Sequence, residues 1–183
     1  MLKLDDPRWE DLRGAFDDDV REALRAVLRD GNDKGSWDDL SYSVYHQGST
    51  YAASFAALPY LVCAATSLAP DSLQRAVMLS IAASIAAAHL LMKGGATAKE
   101  ADYRAPKGTQ LPPEVLSGVE SAIVELRRAV YETLCTGTWD KVYRKYMLAA
   151  LATTFDLPRV AYVIETFASE GEICPDCGAD LGP

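Results

Sequence analysis

Two cysteines near the C-terminus have a spacing that suits metal binding. Cys174 and Cys177 stand in the run Cys-Pro-Asp-Cys-Gly, and two thiolates at this spacing can clasp one metal ion. A structural zinc site needs four ligands, but no second cysteine pair follows. The remaining ligands would have to come from Cys63, Cys135, His46, His89, a carboxylate or a second chain. Zinc binding, an unliganded remnant and a redox pair all stay open, and no other cofactor is expected.

A second group of side chains combines aromatic rings with hydrogen-bonding ends around the turn at Gly48. Its members are Trp37, Tyr42, Tyr45, His46, Gln47 and Tyr51. Such rings are common in protein contact surfaces, so the group is a candidate protein-binding site. The alternative is structural: the rings would cap the open end of a helical stack, while His46 and Gln47 bond free backbone groups.

Catalytic chemistry has little support in the sequence. Nothing matches a phosphate loop, a nucleophile elbow or a His-Glu metal helix. Adjacent carboxylates such as Asp5-Asp6 and Asp38-Asp39 fall at charged turns and helix starts, where capping explains them. His89 stands alone on an alanine-rich stretch, which is typical of a core histidine. No catalytic residue is therefore proposed, and an enzyme is not expected.

Apolar periodicity and the placement of Gly and Pro predict helices throughout the chain. No run of alternating Val, Ile and Thr predicts a strand. We expect an all-α fold of about six helices, near 17–30, 50–66, 71–92, 113–135, 139–155 and 158–169. The first helix would begin after Asp17-Asp18-Asp19, which can cap free amides.

The core is expected between residues 40 and 92, where Asp71 and Arg75 are the two charged side chains. Val77, Ile81 and Ile85 recur at helical spacing and predict one buried face, and Cys63 is also expected in the core. The turn from Leu68 to Asp71 is short, which makes its two helices antiparallel neighbours. Asp71 is suited to cap the second of them.

Residues 55–88 resemble a HEAT repeat, through Pro59, Asp71, Arg75 and the alanine-rich stretch that follows them. The resemblance implies a proline-bent outer helix, a tight turn, and an inner helix whose Asp and Arg bond neighbouring repeats. The pattern recurs 69 residues later with Asp140 and Arg144, and a third start lies at 157–164. The implied fold is an α-α superhelix of antiparallel helix pairs.

Two shorter runs also carry resemblances. Residues 45–59 look like the opening of small bacterial HEAT-like proteins, some of which are associated with toxin–immunity systems. The Cys-Pro-Asp-Cys-Gly run looks like half of a zinc knuckle. Together they imply a non-catalytic protein-binding module, either an adaptor or an immunity-like protein. The alternative is a HEAT-like nucleic-acid-binding or repair enzyme, for which a basic cleft would need Arg104, Lys107, Arg127, Arg128, Lys141, Arg144 and Lys145.

Length and charge limit the kinds of partner. The 183 residues fit one helical repeat domain over 1–183, with residues 171–183 as a cysteine-bearing tail. The net charge is −8, and residues 1–40 hold 12 acids and 7 bases. We expect a cytoplasmic monomer or homodimer with a protein partner that is basic or neutral. Binding to a membrane is not expected, and binding to nucleic acid is disfavoured by the negative charge.

Overall fold

A computed structural model describes residues 1–104 and 111–167. A 3₁₀ helix at Pro7–Asp11 precedes seven α-helices in these ranges, and one hairpin of two-residue strands lies between the second and third. The bounds are α1 Arg21–Arg29, α2 Lys34–Val44, β1 Tyr45–His46, β2 Ser49–Thr50, α3 Ala52–Thr66, α4 Leu73–Lys93, α5 Pro113–Thr136, α6 Lys141–Thr154 and α7 Pro158–Phe167. The expected all-α fold of about six helices is confirmed.

The helices pack as pairs in two layers. α3 packs against α4 and α5, while α4 packs against α6, and α5 also contacts α6. One layer therefore contains α3 and α5, and the other contains α4 and α6. The short connection from Ser67 to Ser72 returns α4 alongside α3, as the sequence predicted. α1 and α2 pack against α3, and α7 packs against α6 and α4.

α3 is the most enclosed helix because neighbours surround it. Its 15 residues carry no charge, and α1, α2, α4 and α5 all contact it. Phe55 is fully buried, and the Tyr60 hydroxyl donates to the Leu2 carbonyl at 2.6 Å. Pro59 lies inside the helix without ending it. Cys63 is an exception, because its side chain is exposed.

The expectation that Cys63 belongs to the core was therefore wrong. The residue lines a surface cleft of about 330 Å³ between α3 and α5, together with Pro59, Thr66 and Gly118. A helix made almost entirely of uncharged, mostly apolar residues has no polar face that tells which side points outward. Sequence periodicity could not separate Cys63 from its buried neighbours for that reason.

The N-terminal helices differ most from the prediction. Asp17 has φ 59°, so it cannot start a helix, and α1 begins only at Arg21. Asp19 is the residue of the acidic run that bonds the start of this helix. Its carboxylate accepts a hydrogen bond from the Arg21 amide at 3.0 Å. Val20 occupies the N-cap position, where its apolar side chain makes no capping hydrogen bond.

α2 was not expected from the sequence. It begins after Asp33, whose carboxylate accepts from the Ser36 amide at 3.4 Å, and it buries Trp37, Leu40 and Val44 on one side. Gly and Ser early in the helix are weak helix formers, which hid its periodicity. Tertiary packing of Trp37 and Leu40 outweighs that weak propensity.

α4 begins at Leu73, two residues after the expected start at 71, and its cap is one residue after the expected Asp71. Ser72 is its N-cap and accepts from the Arg75 amide at 3.4 Å, whereas Asp71 is exposed and precedes the cap.

By length and composition, α4 is the one helix in the described ranges that could cross a membrane. Core helices of globular proteins can have the same length and composition, and 56% of the most apolar stretch of α4 is buried inside the protein.

Candidate functional site

The structure divides the six predicted binding residues into three kinds. Trp37 and Tyr51 are buried, with 3% and 8% of their surface exposed. Tyr45 and His46 are half-buried, while Tyr42 and Gln47 are exposed. The group therefore does not form one surface.

The two buried members have structural surroundings. Trp37 packs into the core from α2. Tyr51 is the N-cap of α3, and its amide donates to the Ser54 hydroxyl at 2.7 Å in a capping box. Ser54 in turn donates to the Val44 carbonyl, which ties the end of α2 to the start of α3. Burial of these two rings agrees with the structural alternative given above.

The hairpin between α2 and α3 positions the remaining members. Tyr45 pairs with Thr50 and His46 with Ser49, so Gln47 and Gly48 form a two-residue loop. Both loop residues have positive φ, 49° and 79°, as a type I′ turn requires. Thr50 also bonds the backbone of the segment after α4: its amide donates to Asp102, and its carbonyl accepts from Arg104. These bonds hold the hairpin against that segment.

Tyr45 lies at the edge of a cleft on the solvent side of α4. The cleft has a volume of about 340 Å³ and is lined by Tyr45, Val77, Ser80, Ile81, Ser84, Tyr143 and Tyr146. Side chains of α4 form its floor at helical spacing, and tyrosines stand on both sides. None of the lining residues carries a formal charge at neutral pH.

The cleft continues along α4 toward the C-terminal end of that helix. A second cleft, of about 230 Å³, shares Tyr45 and Ser84 with the first and adds Leu91 from α4 and Tyr162 from α7. A third, of about 490 Å³, shares Leu91 and Tyr162 and extends to Arg159. We name this run of three clefts the α4 groove. Its floor from Val77 to Leu91 spans about 21 Å at the rise of an α-helix.

The groove changes the interpretation of the apolar stripe on α4. Ile85 is fully buried, but Val77 and Ile81 are half-buried and line the groove. The prediction of one continuous buried face was wrong, since Val77 and Ile81 pack against the core but are only partly covered by their neighbours. Tyr143 and Tyr146 of the groove were missed, although their three-residue spacing on α6 places them on neighbouring positions of one face.

His89 has the structural surroundings expected of a core histidine. It is 8% exposed, and its Nε2 lies 3.0 Å from Glu120 Oε1 on α5. Lys93 bonds the same carboxylate oxygen at 2.9 Å. The His89 hydrogen bond is the main cause, and that of Lys93 the second, of a lowered pKa for the Glu120 carboxyl. The three side chains join α4 to α5.

The described residues include no cluster of three or more His, Cys, Asp or Glu side chains that could hold a metal ion. Cys63 and Cys135 are exposed on α3 and α5. Cys174 and Cys177 lie outside the described residues. Zinc binding at the tail therefore stays a prediction.

Most of the bases that a nucleic-acid cleft would need have partners within the protein. Arg127 donates to the Thr154 carbonyl and stacks 4.5 Å over the Phe155 ring. Arg128 pairs with Glu125 at 2.9 Å. Arg144 donates to the Trp139 carbonyl, and Lys145 is buried, 5.0 Å from the Tyr146 ring. Lys107 lies outside the described residues.

Comparison of the chain with family models, with curated proteins and with solved structures gives no match.

Proposed function

We propose that this protein is a non-catalytic protein-binding module that holds an extended segment of a partner chain in the α4 groove, with uncharged residues of that segment in the cleft between Tyr45 and Tyr146. The observation that carries the proposal is the groove itself, which is open to solvent and lined by tyrosines from the hairpin, α6 and α7. At about 3.3 Å per residue, its 21 Å floor accommodates about six residues of extended peptide.

The chemistry of the lining suits a peptide. Ser80, Ser84 and Ala87 are small, so a backbone can approach α4 closely. Tyrosine offers a large contact area at low cost in side-chain entropy, and its hydroxyl can exchange hydrogen bonds with peptide groups. Since no formal charge lines the cleft between Tyr45 and Tyr146, an uncharged segment avoids the penalty of desolvating an unpaired charge.

The packing of helices in pairs supports an adaptor-like or immunity-like role of the HEAT type. α4 and α6 lie side by side in one layer, as the inner helices of two successive repeats would. Arg75 reaches from α4 to Glu132 on α5, which suits the role that the repeat pattern gives to this arginine. The nucleic-acid alternative has less support, because several of its bases bond carbonyls or carboxylates of the protein.

Site-specific crosslinking in the native cell can test the proposal. A photo-reactive phenylalanine at Ser84 in the groove is compared with one at Ser117, an exposed serine on α5. We expect a discrete crosslinked protein from position 84 that is missing from position 117. The crosslinked region of that protein, made as a peptide, should bind the parent in solution and bind Tyr143→Ala at least about tenfold more weakly. Equal crosslinking at both positions, or equal affinity for both proteins, would contradict the proposal.

A further inference from the structure

Three aromatic rings form a separate exposed surface near the N-terminal helices. The ring centroids of Phe16 and His46 are 5.1 Å apart, and those of Tyr42 and His46 are 6.2 Å apart. Phe16 is 63% exposed and Tyr42 is 61% exposed. We call these three residues the aromatic patch. None of them lines the α4 groove.

The loop that carries Phe16 is fixed onto α2. The Ala15 amide donates to the Ser43 carbonyl at 2.8 Å, and the Ser43 hydroxyl donates to the Asp18 carboxylate. A side chain at Gly14 would meet the Ser43 carbonyl oxygen at 2.8 Å, so the loop lies tightly against the helix. These bonds therefore fix the backbone that carries the exposed Phe16 ring.

Backbone conformations next to the patch are unusual. Asp17, after Phe16, and Gln47, after His46, have φ values of 59° and 49°. Non-glycine residues rarely adopt this left-handed region, and such conformations gather where function fixes a side-chain position. Two of the four non-glycine residues with positive φ in the described chain adjoin this patch.

Three carboxylates are close neighbours of the patch residues along the chain or on the surface of α2. Asp38 and Asp39 precede Tyr42 by four and three residues on α2, so they are its neighbours on the helix surface. Asp17 directly follows Phe16 and is exposed. Between residues 35 and 74 the sequence contains no Lys or Arg. Two bases flank Phe16 in the sequence: Arg13, which is half-buried, and Arg21, which is paired with Asp19 at 2.5 Å.

We infer that the aromatic patch binds an arginine side chain in a basic segment of a partner protein. A guanidinium is planar and weakly hydrated, so it can stack on the Phe16 and Tyr42 rings while nearby carboxylates balance its charge. Lysine fits less well because its ammonium is compact and strongly hydrated. The negative charge of the N-terminal region attracts such a segment from a distance.

The inference is independent of the α4 groove, because it rests on different residues and a different chemistry. The probe is a pentapeptide, Gly-Arg-Gly-Arg-Gly with blocked ends, titrated into the full-length protein at low salt and followed by NMR. We expect the ring resonances of Phe16, Tyr42 and His46 to shift in a saturable way. The lysine version should bind at least about threefold more weakly, and the uncharged citrulline version should not saturate.

Variants distinguish specific binding of the peptide at the aromatic patch from its general attraction to an acidic surface. Phe16→Ala combined with Tyr42→Ala should lower affinity about tenfold, since each exposed ring contributes a factor of about three. Tyr131→Ala, which removes a tyrosine that is 62% exposed on α5, is the matched control and should bind like the parent. A thermal melt confirms that each variant is folded.

A charge control completes the test. Asp38→Asn with Asp39→Asn should weaken binding and reduce its salt dependence, whereas Asp71→Asn, at an exposed carboxylate before α4, should not. The inference is overturned if the patch rings do not shift, if the lysine peptide binds as tightly as the arginine peptide, or if a folded Phe16→Ala, Tyr42→Ala variant keeps parental affinity.

Discussion

Glu120 on α5 lies within hydrogen-bonding distance of His89 on α4, with 3.0 Å between Oε1 and Nε2. The bond crosses from one helix to the next at a position where His89 is nearly enclosed. The folded state therefore favours the ionised form of Glu120, whose pKa lies below its ordinary value of 4.5. That difference links folding to pH.

The first prediction concerns acid stability. A carboxyl whose pKa is lowered on folding stabilises the protein above its unfolded pKa, and this contribution disappears as pH falls through the folded value. The free energy of unfolding of the parent should thus fall below about pH 4.5, and that of Glu120→Gln should fall less steeply. Urea denaturation between pH 3 and 7 measures both slopes. Glu22→Gln, at an exposed carboxylate on α1, should keep the parental slope.

The second prediction is that removing the two partners of one ion pair costs different amounts of stability. Arg75 Nη2 lies 2.5 Å from Glu132 Oε2, but the Arg75 side chain is 3% exposed and that of Glu132 is 52% exposed. Removing the glutamate leaves a buried guanidinium without its counter-charge, so Glu132→Ala should cost about 3 kcal/mol. Arg75→Met fills much of the same space and leaves an exposed carboxylate. It should cost about 1 kcal/mol, the value of a lost hydrogen bond to the Leu68 carbonyl.

Chemical denaturation of the two single variants and the double variant tests this order. The double variant should be close in stability to Arg75→Met, because the charge left behind by Glu132→Ala is then gone. A larger loss for Arg75→Met than for Glu132→Ala would show that packing of the arginine stem outweighs the buried charge.

The central helices could be predicted from the sequence because their ends have strong signals. Asp140 accepts from the Tyr143 amide at 2.9 Å and starts α6 at Lys141, within two residues of the expected start. The exposed sides of those helices could not be predicted. An apolar residue such as Ile81 has the same local pattern as Ile85, and only the placement of α6 and the hairpin leaves one half-buried and the other enclosed.

The candidate binding surfaces were even harder to predict from the sequence than the exposed sides of the helices. Tyr45 and Tyr143 line one cleft although 98 residues separate them in the chain. Phe16 contacts His46 because hydrogen bonds fix its loop to α2. That helix was not predicted, because its sequence has weak helix propensity. Both relationships arise from tertiary packing, which composition and periodicity do not specify.

A pair of matched substitutions provides the third prediction. Ile85→Asp should prevent folding, since an unpaired carboxylate at a fully buried position costs several kcal/mol. Ile81→Asp places the same group at the floor of the α4 groove, where it reaches water, so the protein should fold with a smaller loss of stability. Circular dichroism and thermal melts compare the two. If both variants unfold, the groove is closed to solvent.

The fourth prediction concerns metal at the C-terminal tail. If Cys174 and Cys177 bind zinc, protein purified without chelators should contain up to one zinc per chain, or one per two chains if two molecules share the ion. Cys174→Ser should remove that zinc. Cys63→Ser, at an exposed cysteine on α3, should retain it. Elemental analysis showing no zinc in the parent protein would leave the pair as a remnant or a redox couple.

The fifth prediction tests how the hairpin loop positions His46. Gln47 has φ 49° in a two-residue loop whose type favours Asn followed by Gly. Gln47→Asn should therefore stabilise the protein by about 0.5 kcal/mol, because asparagine tolerates the left-handed region better than glutamine. Gln47→Val should destabilise it by about 1 kcal/mol or more, since a β-branched residue is strained there.

Thermal melts give the order of stability for these Gln47 variants, and NMR reports whether the rings move. In Gln47→Asn the resonances of Phe16 and His46 should stay close to those of the parent, because the turn keeps its geometry. In Gln47→Val they should shift, since relief of the strain moves His46 away from its contact at 5.1 Å with Phe16. If valine were tolerated without loss of stability or movement of the rings, the loop conformation would not be what holds His46 in the aromatic patch.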